Sequence, residues 1–254
     1  MTTVISVHSF RGGTGKSNTT ANLAGQLAAS GARVAVVDTD IQSPGIHVLF
    51  GFADDLDNTL NDYLWGKLPI KDAAHDVTSK IAATSTIAEG GALFLVPSSM
   101  KAGDIARVLR EGYDVGTLND GFRDLAKDLQ LDYLLIDTHP GLNEETLLSI
   151  TISDVLLLIL RPDRQDFQGT AVTVDVARKL GVPELFLVVN MVPTNIDVDD
   201  LREQMTAAYG SETAAILPFS KQVVDNASGG LFSLVHPDHA WSEQFRRIAH
   251  HVTQ

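Results

Sequence analysis

Residues 11–17 read Arg-Gly-Gly-Thr-Gly-Lys-Ser, between an apolar β-rich run at 4–8 and a run at 17–30 where Ala21, Ala24, Gly25 and Ala28 recur at helical spacing. A glycine-rich loop joining a strand to a helix is a phosphate-binding arrangement. Gly12, Gly13 and Gly15 let the backbone curl with its N–H groups pointing inward, and the dipole of the helix that starts near Lys16 adds positive potential there. In such a loop Lys16 supplies a mobile cation for β- and γ-phosphates, and the Ser17 hydroxyl can ligate Mg2+. Thr14 and Asn18 complete the loop residues expected to meet a bound nucleotide. The common pattern G-x-x-x-x-G-K-[ST] wants glycine where this chain has Phe10, and it does not account for Arg11.

Carboxylates stand where a cation would need them. "VVDTD" puts Asp38 and Asp40 two residues apart at a strand end, a spacing that turns both side chains to one face. "YLLIDTHPG" is an apolar strand ending in Asp137, the form of a second acidic strand end that holds Mg2+ directly or through water. Like charges this close repel, and a divalent cation relieves the repulsion. The loop after Asp137 has the form of a γ-phosphate sensor, Gly141 allowing it to reorient. Within it, His139 is expected to be an exposed loop histidine rather than a catalytic one.

The elements that must carry these residues alternate along the chain. Strands are expected at 4–8, 33–38, 92–96, 133–137, 154–160, 185–192 and 214–218, and helices at 17–30, 103–111, 115–129, 144–153, 169–180, 198–209 and 239–252. Several strands are apolar throughout, the mark of parallel strands covered on both faces. The expectation is therefore one α/β domain over 1–254, a doubly wound, mostly parallel sheet with helices on both faces. Residues 54–80 are more polar and irregular, and their pairing does not follow from the pattern.

Composition narrows the function. The chain has 254 residues and no Cys, which excludes disulfides, thiolate chemistry and Cys-ligated zinc or iron–sulfur clusters. "MTTVISVHSF" has no basic region or long apolar core, and no apolar run is long enough to span a bilayer, so a soluble cytoplasmic protein is expected. The formal net charge of −13 repels nucleic acid and anionic lipid. DNA binding would have to be weak and local, and the small basic clusters (Lys101, Arg107 and Arg110; Arg246 and Arg247) read as solvated helix faces. Trp241, Phe245, Ile248 and Val252 form a helical stripe that reads as core packing, so membrane binding is not expected.

"RGGTGKS", "DTDIQSPG" and "LLIDTHPG", with "LVVNMV" and "LPFSKQVVDNASGGL" further on, together resemble the deviant Walker A family of ParA and MinD ATPases over nearly the whole chain. The resemblance implies an ATP- and Mg2+-dependent switch that forms a nucleotide-sandwich homodimer, hydrolyses ATP slowly under stimulation by a protein partner, and positions or partitions a cargo. It implies that Lys16 and Ser17 bind phosphate and metal, that Asp40 positions the attacking water, and that Asp38 and Asp137 support the metal. Asn190 would read the adenine edge, with Pro218 in the loop near the base. The family usually has Lys where this chain has Arg11, and that residue crosses the dimer interface to the partner's nucleotide. Arg11 could do this as an arginine finger, with Arg161 or Arg164 as substitutes. A small-molecule ATP-dependent enzyme of the same fold and a nucleotide-gated binding module with little turnover stay open.

Overall fold

The computed structural model describes residues 1–53 and 56–253; Asp54, Asp55 and Gln254 lie outside the described residues. The strands are β1 (Thr3–His8), β2 (Arg33–Asp38), β3 (His75–Asp76), β4 (Ala92–Val96), β5 (Tyr133–Asp137), β6 (Val155–Leu160), β7 (Glu184–Val192) and β8 (Glu212–Pro218). They form one sheet in the order β3-β4-β2-β5-β1-β6-β7-β8, parallel throughout except for β3. The α-helices are α1 (Lys16–Ala29), α2 (Leu60–Leu64), α3 (Thr78–Ala82), α4 (Ala102–Glu111), α5 (Val115–Asp128), α6 (Glu144–Ile152), α7 (Arg164–Leu180), α8 (Val198–Tyr209), α9 (Lys221–Asp225), α10 (Phe232–Val235) and α11 (Ala240–Val252).

The all-apolar strands bury both faces, as their patterning requires. On one face Ile5, Val7, Val36 and Leu157 pack beneath α1, α10 and α11. On the other, Val37, Leu134 and Ile136 meet α5, while Leu156, Leu158 and Val189 meet α7 and α8. The expected terminal stripe is core: Trp241, Phe245, Ile248 and Val252 are all buried. No described helix is long and apolar enough to cross a membrane.

Besides the short helices α9 and α10, which no expected helix covers, two stretches differ from the sequence expectation. The described part of 54–80 holds α2, the start of α3, and β3, which pairs antiparallel with β4 at His75↔Leu95 and Asp76↔Phe94. The start of α2 is fixed by the Asp62 carboxylate, which accepts from the Thr59 backbone N–H and hydroxyl, both at 3.0 Å. In addition, α7 begins at Arg164 rather than at 169. Asp163 caps it, its Oδ1 accepting from the N–H groups of Gln165 and Asp166 at 3.0 Å each.

β1 lies between β5 and β6, so the chain winds to both sides of it. A crevice forms at the carboxyl ends of strands where winding reverses. The loops after β1, β2 and β5 leave that edge together: Val7 and Asp38 are both in register with Asp137.

Phe245→Ala empties a fully buried aromatic position between α11 and the sheet. The expected loss is about 3–5 kcal/mol, read from urea unfolding midpoints.

Candidate functional site

The loop after β1 reaches α1 through Gly13 (φ 75°) and Gly15 (φ 91°), both in the left-handed region where side chains are strained. A Cβ on Gly15 would also run into the Asn190 amide. That amide donates from Nδ2 to the Thr14 carbonyl at 2.8 Å, and its Oδ1 accepts from the Met191 N–H at 2.8 Å. Asn190 thus ties the end of β7 to the loop. A cavity of about 80 Å³ opens here, lined by Gly15, Asn18, Asn190, Met191, Pro218 and Phe219 among others. Larger cavities, of about 520 and 630 Å³, lie at the opposite edge of the sheet against Thr2, Thr3 and Tyr133 and include none of the predicted residues.

Lys16 opens α1 and is only 7% exposed. Its Nζ lies 3.0 Å from Asp137 Oδ1 and 3.9 Å from Asp40 Oδ2. The Thr20 hydroxyl, one turn along α1, donates to the same Asp137 oxygen at 3.0 Å. The other oxygen, Asp137 Oδ2, is buried without a hydrogen-bond partner. Asp38 is fully buried, its Oδ1 accepting from the Asp40 N–H at 3.0 Å. Burial, and after it the neighbouring Asp137 charge, push the Asp38 carboxyl well above the usual carboxylate range. β2 ends at Asp38, so strand alternation does not reach Asp40; the two meet through that backbone N–H.

Asp40 has a partner the sequence reading weighted against. His139 Nδ1 lies 2.6 Å from Asp40 Oδ1, and the two side chains are 24% and 13% exposed. His139 is therefore not a solvated loop residue but part of the constellation. His8 was missed. It is fully buried at the end of β1, its Nδ1 2.8 Å from Thr138 Oγ1. The Thr138 hydroxyl gives its hydrogen to the Val7 carbonyl at 3.0 Å, so His8 Nδ1–H donates and its buried Nε2 is left bare. Burial first, then Lys16 and His139, lower the His8 pKa to about 3. The available signal was a histidine closing an apolar strand directly ahead of the glycine loop.

Arg11 is 41% exposed and leans on α7. Its Nη1 donates to Gln165 Oε1, and its Nε lies 3.9 Å from Asp166 Oδ1. Buried Asp166 also accepts from Arg161 Nε at 3.0 Å and Nη2 at 3.3 Å. Arg161 is thereby committed, whereas exposed Arg164 makes no ion pair among the described residues. Of the predicted residues, the fold gathers Lys16, Asp38, Asp40 and Asp137 in one place, with Asn190 and Pro218 at the adjoining cavity and Arg11 outside on α7.

The model of the ParA family, described as NUBPL iron-transfer P-loop NTPase, matches residues 1–253. An uncharacterized ATP-binding protein of Methanocaldococcus jannaschii is 28% identical over 192 residues, spanning 76% of this chain and 65% of that protein. An iron–sulfur cluster carrier protein of Pseudomonas fragi is 27% identical over 241 residues, spanning 89% of this chain and 76% of the carrier. The fold matches the septum site-determining protein MinD of Pyrococcus horikoshii, solved with Mg-ADP, at a TM-score of 0.81 and 23% identity over 100% of this chain and 97% of MinD.

His8 carries a pH prediction. Its pKa is lower folded than unfolded, so below about pH 6.5 the unfolded chain takes up a proton that the folded site refuses. Stability falls as pH drops, by roughly 2 kcal/mol between pH 7 and pH 5 from this group. Urea midpoints at both pH values should show a smaller drop for His8→Gln than for the unsubstituted protein.

Proposed function

This chain belongs to the ParA family of P-loop NTPases, and from that premise we propose that it is a cytoplasmic ATP-driven switch. It would bind Mg2+-ATP, pair with a second copy across two nucleotides, hydrolyse slowly when a protein partner stimulates it, and in doing so position a cargo. The observation that carries the reading is Lys16, a nearly buried cation at the loop–helix junction, held by carboxylates that a nucleotide's phosphates would replace. Gly12, Gly13, Thr14, Gly15, Ser17 and Asn18 would contact the nucleotide through the loop and the first turn of α1. Asn190 and Pro218 line the neighbouring cavity, beside which the base would lie.

Ser17, Asp38 and Asp137 are the residues that would hold Mg2+, and the orphaned buried oxygen of Asp137 fits a cation. The described residues offer no cluster of three or more acidic or histidine side chains for a metal. That suits Mg2+, which takes few protein ligands and completes its shell with phosphate oxygens and water. When bound, it would neutralise charge between the β- and γ-phosphates. Asp40 would then position the attacking water, and Arg11 would reach the second subunit's nucleotide as a finger in trans. DNA, if it is the matrix, would be bound weakly and only by a local patch, given the charge of −13.

A second reading follows from the P. fragi relative's name and from the family description: cargo made of iron and sulfide. These 254 residues contain no Cys, so a cluster would find no thiolate here and would need ligands from a partner. Anaerobic incubation of the protein alone with iron and sulfide should therefore leave no cluster absorbance after desalting; a stable brown protein would show that ligands other than thiolate on this chain hold a cluster.

The switch reading is tested by mixing. Lys16→Ala should abolish tight ATP binding in calorimetry. Arg11→Ala should retain monomer ATP affinity and lose dimerisation and turnover together, by roughly a thousandfold in rate. A mixture of the two should recover activity, because one site of the mixed dimer pairs an intact Lys16 with an intact Arg11 from the other subunit. No recovery, with ordinary dimerisation by Arg11→Ala alone, would move the trans role to Arg164.

A further inference from the structure

We infer that His139 is a positioning residue for hydrolysis: through its Nδ1–H it fixes the Asp40 carboxylate, so that the other Asp40 oxygen faces the attacking water. The inference rests on the ATPase reading above and adds to it a residue specific to this site.

Asp40 lies in the loop after β2, with no strand to orient its side chain. Its backbone is anchored by the N–H donated to Asp38. Its carboxylate has two partners, on different oxygens. His139 Nδ1 holds Oδ1 at 2.6 Å, and Lys16 Nζ lies 3.9 Å from Oδ2. Lys16 is the group that phosphates would draw away. The imidazole then remains as the fixed partner on Oδ1, and Oδ2 is released. An ionised carboxylate only accepts, so the bond requires a hydrogen on Nδ1, which the neutral Nδ1 tautomer and the charged ring both carry. The role therefore does not depend on which of these is present.

His139 is itself held. Its carbonyl accepts from the Thr146 hydroxyl at 3.2 Å, on the first turn of α6, a helix capped by Asn143. Just beyond it, the Gly141 N–H donates to the Ser9 carbonyl at 3.1 Å, which ties the loop after β5 to the one after β1. The His139–Asp40 bond joins that pair to the loop after β2. All three strand-end loops are then one hydrogen-bonded unit, and a γ-phosphate meeting the loop after β5 would reach Asp40 through one side-chain contact.

In the hydrolytic step, the water oxygen bonds to the γ-phosphorus as the bond from that phosphorus to the bridging oxygen breaks. The bond's electron pair stays with ADP. The water proton passes to Asp40 Oδ2 and then to the phosphate released. His139 exchanges no proton in this scheme. Its contribution is orientation, for which a misplacement of about 1 Å costs on the order of a hundredfold in rate.

The experiment measures steady-state ATPase kinetics of the full chain and its His139→Ala, His139→Asn, His139→Gln and Asp40→Ala forms, with ATP affinity and thermal midpoint for each. Asparagine carries an N–H at about the reach of Nδ1; glutamine carries it one bond further out. His139→Ala should lower kcat about 10- to 100-fold with the KM for ATP changed less than about twofold. His139→Asn should recover most of that loss and His139→Gln little of it, at equal thermal midpoints. Unchanged kcat in His139→Ala, a loss confined to KM, or equal behaviour of Asn and Gln overturns the positioning role. If His139→Ala fails to fold, the comparison of Asn with Gln decides alone. Ordinary turnover by Asp40→Ala would instead remove the hydrolytic reading on which this role rests, so the two failures are told apart.

Discussion

A lysine ammonium that is 93% enclosed cannot stand without counter-charge, and the site is arranged around that need. Lys16 has Asp137 at 3.0 Å and Asp40 at 3.9 Å, and both carboxylates come from loops or strand ends that other parts of the sheet deliver. The parallel register supplies the first by placing Asp137 level with Val7 and Asp38. Removing one member of such a buried pair typically costs 3–5 kcal/mol, because the other is left charged and dry. That cost makes the pairing exchangeable rather than dispensable. A polyanion that takes over the lysine must leave the carboxylates something else to balance, and a divalent cation does this. The same reasoning covers the raised Asp38 carboxyl, whose burial beside Asp137 leaves two acids where the surroundings favour fewer than two negative charges.

The neighbouring network on α7 works on the opposite principle. Asp166 is buried and serves two guanidinium groups, Arg161 closely and Arg11 at 3.9 Å. Arg161 makes the bidentate contact, so Arg11 holds the looser place and stays 41% exposed. Only the Arg11 side of this pair is exposed, and at 3.9 Å from Asp166 it is the looser of the two, with the Gln165 side chain as its hydrogen-bond partner.

How much of this was legible in the sequence depends on whether local or tertiary forces set each feature. The sheet and its long helices were legible because apolar runs and helical stripes respond to burial. Trp241, Phe245, Ile248 and Val252 lie in the core as their spacing requires. The start of α7 was missed because its signal is a single cap, Asp163, ahead of polar residues that carry no apolar period. α2 and β3 escaped for a related reason: a five-residue helix and a two-residue strand are set by Asp62 capping and by pairing with β4, not by pattern. In the site, the glycine loop and the strand-end positions of Asp38 and Asp137 were readable, whereas the two-residue spacing of Asp38 and Asp40 misled, because β2 ends at Asp38. His139 and His8 were not readable, since a lone histidine has no periodicity. Whether it meets solvent or a carboxylate is decided by how two distant loops approach, here residues 99 positions apart.

The two histidines divide the labour that one cannot do. His8 lies inside the sheet edge, is kept neutral by burial and by the Lys16 charge, and steadies Thr138 from beneath. His139 lies on the outer side of the same loop and grips Asp40. The loop after β5 is thus held from two directions, by a neutral donor within the fold and by a carboxylate across the crevice. A loop held only from within would report nothing to Asp40, and one held only across the crevice would lack a fixed reference from which to move. Together the two contacts give the loop a defined position, tied on one side to the interior of the sheet and on the other to the loop after β2.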